Sequence, residues 1–273
     1  MPRMSVAEDW TRAVDPARRV GRALEFHAEI GSTNDSAREA LGQPDGDGLA
    51  VVADLQTAGR GRRGRAWASP AGANLLVSVA FRPAIVPRLA GLLGVVAALA
   101  VRDACARLAP DAGLAIRWPN DVVDRHGRKL AGLLVETALE GEQLVEAVIG
   151  IGINVNWLAS EMPAEIRERA TSLVTLTGAP VGRVELLRSV LDALGAEVVA
   201  LERGEAPLPR LRARSWLDGR WVDVDTGAET IRGRVAGIAD DGSLLLEGDL
   251  GRISLSVGEV ARVHEMSVAA VLE

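Results

Sequence analysis

Lysine is nearly missing from this chain. Of its 31 lysine and arginine residues, only Lys129 is a lysine. On an exposed surface the two cations are roughly interchangeable, so a bias towards arginine explains the pattern without explaining why one lysine is spared. Lysine is a compact point charge on a flexible stem, and a site shaped for one ammonium refuses a planar guanidinium fork. Lys129 is therefore a candidate functional residue before any motif is considered. Tyrosine is absent as well. The single cysteine, Cys105, excludes an internal disulfide and fits a reducing compartment. Residues 1–22 mix charge throughout and lack the apolar stretch of a secretion signal. The longest apolar run, Leu89 to Val101 between Arg88 and Arg102, is shorter than the about 20 residues a bilayer demands, and reads as a buried helix.

What is present can bury a real core: 273 residues, 48% of them hydrophobic, suggest one large domain or a large one with a small companion. The net charge is −6, which makes a poor general nucleic-acid binder. Positive charge is nevertheless concentrated in one place, the stretch Asp54 to Trp67 reading DLQTAGRGRRGRAW. Its arginines, Arg60, Arg62, Arg63 and Arg65, alternate with Gly59, Gly61 and Gly64, and no core could satisfy so many guanidiniums. Glycine lets backbone N–H groups approach a ligand, and arginine forks close over an anion, so the segment has the makings of a phosphate cradle. Mutual repulsion predicts that it is mobile until an anion arrives. A solvated or nucleic-acid-gripping loop is the plainer alternative. The spacing also matches G-x-G-x-x-G, but a dinucleotide fold needs that motif to open a helix, with an acidic residue about 20 positions on. Here a second loop follows instead, then a strand from Asn74 to Phe81. A kinase glycine loop is set aside because its companion motifs are missing.

The pattern predicts strands at 23–30, 49–54, 74–81, 114–118, 121–124, 130–139 and 144–153, and helices at 6–20, after Ser32-Thr33-Asn34, at 87–108, 161–170, 183–203 and from Pro209 to about Gly219. Ser32 or Thr33 suits a helix cap. From Arg220 the chain alternates apolar and polar in short runs separated by Asp225-Thr226-Gly227, Asp240-Asp241-Gly242 and Gly248-Asp249, a meander of hairpins. The division therefore falls at residues 1–218 and 219–273.

Several predicted strand ends carry polar groups: Gly31-Ser32-Thr33-Asn34, Gln56, Arg117-Trp118-Pro119-Asn120-Asp121, Arg128-Lys129-Leu130-Ala131-Gly132 through Glu136, and Gly150-Ile151-Gly152-Ile153-Asn154. Each alone has a dull explanation as a cap, a turn or a close strand contact. In this order, with the arginine loop between them, they resemble biotin protein ligases. The resemblance spans Ser32 to Asn154 and extends to the small β domain downstream. Lipoate ligases share the fold but lack this arginine and glycine loop. The family usually has lysine where this chain has Arg117, and no helix-turn-helix segment precedes Ser32, so the chain resembles the ligase-only form.

The resemblance implies an α+β fold: a mixed β-sheet catalytic domain of the class II synthetase-like, biotin–lipoate ligase type, its helices on one face, with a small SH3-like β-barrel at the C-terminus. It implies a cytoplasmic enzyme that joins biotin and ATP, with Mg2+, into biotinyl-5′-AMP and then biotinylates one lysine of a biotin carboxyl carrier protein. Positioned cations suit this reaction, because a carboxylate must approach an already negative phosphate. By resemblance, Lys129, Arg62 and Asp121 are catalytic. Ser32, Thr33, Asn34, Gln56, Arg60, Arg62, Lys129, Gly132 and Gly152 surround biotin. Arg60, Arg62, Arg65, Trp67, Asn120 and Asn154 hold the nucleotide, with Trp67 stacked on adenine. No residue is identified as a metal ligand, and neither DNA nor membrane is an expected partner. A homodimer is among the assemblies left open. The competing readings are another adenylate-forming ligase, for lipoate or octanoate, and a non-catalytic nucleic-acid-binding module.

Overall fold

The computed structural model describes residues 9–248 and 251–264. Seven strands form the main sheet: β1 (Ala23–Ile30), β2 (Leu49–Gln56), β3 (Leu75–Phe81), β4 (Ala115–Arg117), β5 (Asp121–Val123), β6 (Lys129–Glu140) and β7 (Gln143–Ile153). They lie in the order β1-β2-β3-β7-β6-β5-β4. Only β1 and β2 pair in parallel, joined through helix α1 (Thr33–Leu41), and the remaining neighbours are antiparallel. The fold is thus α+β, with the hairpin turns that the sequence places at His126-Gly127 and Glu140-Gly141.

Strand periodicity sorts the core into two layers. In β2, β3 and β7, Ala50, Val52, Val77, Val79, Phe81, Ile149, Ile151 and Ile153 join a large cluster with α2 (Leu92–Leu108) and α5 (Arg183–Glu202). The intervening residues Leu49, Val51, Ala80 and Val148 pack instead with Ala37 and Leu41 of α1. Helices therefore cover both faces, not one. That is why β3 is buried at every position and reads as an apolar run broken only by Ser78. The apolar segment Pro87–Leu108 is long and apolar enough to cross a membrane by composition, yet α2 packs against α5 and the sheet in the core. Burial pushes the Cys105 thiol on α2 up to about 12, which leaves it an inert packing group.

Short helices α3 (Ala164–Arg167), α4 (Leu173–Thr177) and α6 (Leu208–Ala213) complete the chain before a second, five-stranded antiparallel sheet. It comprises β8 (Trp221–Asp225), β9 (Thr230–Ile238), β10 (Leu244–Gly248), β11 (Gly251–Leu255) and β12 (Glu259–His264), and is SH3-like in type. Trp118 Nε1 donates to Gly242 O at 3.1 Å, and Arg212 Nε donates to Ile238 O at 2.8 Å, so side chains fasten this sheet to the main body. The expected helix over 6–20 is replaced by one 3-10 turn at Trp10–Ala13 within the described part, while residues 1–8 lie outside it. Likewise the helix expected over 161–170 shrinks to α3, because Pro163 sets its start and the chain from Arg169 to Thr171 turns to run beside Lys129. The helix expected from Pro209 ends at Ala213, so residues 214–219 form a turn leading to β8.

Candidate functional site

A cleft of about 660 Å³ opens on the α1 face of the main sheet, where the strands lose their side chains. Register explains the place. Arg117 pairs with Asp121, Asp121 with Gly132, and Gly132 with Gly152, so two glycines sit beside a charged pair in one row across four strands. Lys129 shares its parity with Ala131 and Leu133, which are core, yet its ammonium lies in the cleft. The register of β5 on β6 shifts between Val122 and Val123 at that end, and regular alternation stops there. Lys129 Nζ lies 2.6 Å from Asp121 Oδ1, and Arg117 donates to Asp121 Oδ2 at 2.7 Å. Burial pushes the Asp121 carboxyl upward, but Lys129 and Arg117 outweigh it and hold the group below the usual carboxylate range.

The opposite end of the cleft is lined by polar groups of α1 and β2. Ser32 occupies the cap position of α1 with extended backbone, yet its hydroxyl makes no capping bond and is left to the cleft. Gln56 Oε1 accepts from Thr33 N at 2.8 Å and lies 3.0 Å from Thr33 Oγ1. That fixes its amide, with the Nε2 donor turned the other way. Asn34 reaches over β7 because position 150 is glycine: a Cβ there would lie 2.2 Å from Asn34 Oδ1.

The arginine loop between β2 and β3 closes the third side. Arg60 bridges to Ala66, and Arg63 adopts left-handed backbone with φ of 56°. The repulsion expected among its arginines is offset by carboxylates distant in sequence. Arg60 is held by both oxygens of Asp35 at 2.6 Å, Arg63 by Asp225 at 2.6 Å, and Arg65 by Glu259 at 2.5 Å. Arg60 correspondingly lowers the pKa of Asp35. Among the described residues Arg62 has no such carboxylate close by, and its NH1 reaches Asn120 Oδ1 at 3.5 Å. Burial lowers its pKa, so it is a poorly solvated cation facing the cleft. Trp67 folds back over the sheet. A Cβ at Gly152 would lie 2.6 Å from its ring and one at Gly132 2.9 Å, and Lys129 Nζ stands 5.3 Å from the ring centroid. Its Nε1 is buried and meets no acceptor among the described residues.

Residues 28–154 match the Biotin/lipoate A/B protein ligase family, and residues 219–263 match the Biotin protein ligase C terminal domain. A biotin--[acetyl-CoA-carboxylase] ligase of Mycobacterium tuberculosis is 38% identical over 249 residues, covering 89% of this chain and 90% of that protein. The corresponding Paracoccus denitrificans ligase is 36% identical over 77% of this chain and 88% of its own. The Aquifex aeolicus biotin protein ligase, solved in complex with biotin and ATP, superposes with a TM-score of 0.77 at 30% identity, covering 89% of this chain and all of that one. The chain belongs to the biotin protein ligase family.

In this family member the cleft gathers Ser32, Thr33, Asn34, Gln56, Arg60, Arg62, Arg65, Trp67, Asn120, Asp121, Lys129, Gly132 and Gly152 from distant parts of the sequence. Asn154 is not among its lining. Buried at 4% exposure, it donates to the carbonyl of Thr171 at 3.0 Å and so braces the strand behind Lys129. The ligase also recruits groups that the motifs did not name: Glu259 from the small sheet and Arg169 after α3. Nothing local in the sequence marks them, since each reaches the cleft only through tertiary packing.

Proposed function

We propose that the cleft binds biotin along α1 and the β-sheet glycines, binds ATP under the arginine loop, and joins them at Lys129. As a member of the biotin protein ligase family the chain is an enzyme that uses ATP to attach biotin to protein. In this reading the biotin carboxylate attacks the α-phosphate, pyrophosphate leaves, and an amine of the acceptor protein then displaces AMP from the biotinyl carbon. The residues provide positioning and charge rather than a nucleophile. Lys129 neutralises the approaching carboxylate and α-phosphate. Arg62 meets the departing phosphates, and Arg60 and Arg65 follow once released from Asp35 and Glu259. Ser32, Thr33, Asn34 and Gln56 receive the heterocycle, and Trp67 leaves the glycine floor to cover adenine.

The observation that carries this reading is the Lys129 ammonium in the cleft, held by Asp121 at 2.6 Å with polar side chains of α1 and β2 at one side and an arginine loop at the other. Among the described residues no three acidic, imidazole or thiol groups come together as a metal site. In this reading Mg2+ arrives on the phosphates of the nucleotide. We assign residues 1–218 to catalysis and 219–273 to an accessory β domain. The acceptor is a biotin carboxyl carrier domain, in keeping with relatives named for acetyl-CoA carboxylase. A net charge of −6 and the single Cys105 fit a cytoplasmic enzyme that engages neither DNA nor membrane. Incubation with biotin, MgATP and a biotin carboxyl carrier domain should add one biotin to the carrier, read by mass spectrometry. An unmodified carrier, with ATP–pyrophosphate exchange driven by lipoate or octanoate instead, would overturn it.

A further inference from the structure

Glu136 closes the motif that begins at Arg128, yet nothing above gives it work. It lies on β6, paired with Val148, on the same face of the sheet as the cleft but outside the cleft's lining. Its Oε2 accepts from Asn34 Nδ2 at 2.7 Å and pairs with Arg38 at 3.0 Å, while its Oε1 lies 3.8 Å from Arg60. On the other side of the same asparagine, Oδ1 accepts from Ser78 Oγ at 2.6 Å, and Ser78 is wholly buried.

We propose that Glu136 is a positioning residue that fixes the donor and acceptor polarity of the biotin pocket through Asn34. This inference rests on the reading of that pocket as the biotin site. The two ends of an asparagine amide are nearly alike in shape and opposite in hydrogen bonding. An ionised carboxylate only accepts, so Glu136 compels Nδ2 to face it and Oδ1 to face Ser78. Ser78 has one proton. Once that proton is committed to Asn34, the Ser78 oxygen, 2.7 Å from Thr33 Oγ1, is left as an acceptor towards Thr33. Thr33 Oγ1 then spends its one proton on Ser78, and Gln56 Oε1 is held by the Thr33 backbone N–H at 2.8 Å, with the opposite end of that amide facing the cleft. One acceptor-only group behind the wall thus orders a chain of three neutral ones, Asn34, Ser78 and Thr33, each of which could otherwise point either way. Asn34 also keeps a second Nδ2 proton for the ligand, because Glu136 consumes only one.

The test is a double-mutant cycle on biotin affinity by isothermal titration calorimetry, using the full chain, Glu136→Ala, Ser78→Ala and both together, with thermal melts to show that each is folded. Neither residue lines the cleft, so loss of affinity must travel through a neighbour that does, and the Asn34→Ala background separates Asn34 from Arg60 and Thr33. Each single change is expected to weaken biotin binding about tenfold, the scale of one lost buried hydrogen bond, with the pair little worse than either alone. Because Ser78 is fully enclosed, the cycle is repeated with Asn34→Ala, in whose background Glu136→Ala should have no further effect. Additive losses, or unchanged affinity in Glu136→Ala while the wild type binds biotin, overturn the role of Glu136 alone. A wild-type protein that binds no biotin overturns the site reading and this inference with it.

Discussion

Asp121 decides where the single lysine stands. One of its oxygens takes Lys129 and the other takes one NH2 of Arg117, whose second arm donates to the Gly127 carbonyl at 3.3 Å, a pair of bonds that a planar fork makes at once and a single ammonium would have to share. The replacement of the family's lysine by Arg117 therefore keeps the charge and serves to hold Asp121. Changing Asp121→Asn should leave two cations with a neutral partner, at a cost of about 1–3 kcal/mol for an unsatisfied, largely buried group at pH 7. The pH dependence follows from the sign of the shift. The folded-state pKa is depressed, so the stabilisation is complete above the unfolded value of about 3.9 and is lost as pH falls through the lower folded value. Thermal melts of wild type and Asp121→Asn should thus differ at pH 7 and converge on acidification below about pH 4. A gap that persists there would remove Asp121's ionisation as the cause. Lys129→Arg should keep the ion pair with Asp121 yet lose adenylate synthesis, because a fork cannot place one ammonium between two anions. Near-normal pyrophosphate release from that variant would contradict the assignment.

The arginine loop is an element with two sets of partners. In the structure its cations rest on Asp35, Asp225 and Glu259, and its tryptophan covers Gly132 and Gly152. The pair Arg65 and Glu259 is well exposed on the arginine side and contributes about 1 kcal/mol at most, so a triphosphate can displace it. On the proposed reading the ring must leave the glycine floor before biotin can take it. Hydrogen exchange across residues 59–67 should fall sharply when biotin and ATP are added together, and equal protection with and without them would show that the loop does not exchange partners. Trp67→Ala should weaken ATP use by about 1–3 kcal/mol, as expected for a lost stacking surface, while leaving biotin affinity no lower because the floor is uncovered. If the ring served only as packing, the variant would lose thermal stability and keep its ATP requirement. Much of this element was legible: charge density and glycine spacing located it between two strands, and its neighbours in the cleft came from the ordered motifs. Its carboxylate partners were not, since Asp225 and Glu259 lie in another sheet. The glycine row needed strand register, which sequence does not carry, and the placing of Lys129 depended on a register shift that breaks the period-two rule. Asn154 went the other way: its motif suggested a ligand contact, and its amide is spent on backbone.

At the scale of the whole molecule, the small sheet is part of the site's enclosure. Glu259 on β12 lines the cleft, Asp225 on β8 clasps the loop, and Trp118 at the end of β4 bonds to the backbone of Gly242. The loop is thus held shut from two sides, and loosening it should expose a reactive acyl phosphate anhydride to amines in solution. The composition of the chain then becomes consequential. Its only side-chain amine, Lys129, lies inside the cleft 2.6 Å from Asp121, so the surface offers an escaping adenylate no lysine to acylate. Arg62→Gly removes the loop cation that faces the cleft without a close carboxylate partner, and it should leak. Incubated with biotin, MgATP and a lysine-rich bystander protein, this variant should biotinylate the bystander while remaining nearly unmarked itself, apart from its terminal amine. Peptide mapping by mass spectrometry reads both proteins in one digest. Biotin on Lys129 would mean that this ammonium is not held between the reacting anions and that the lone lysine survived by chance. A bystander left clean would mean that the loop's cations do not retain the intermediate.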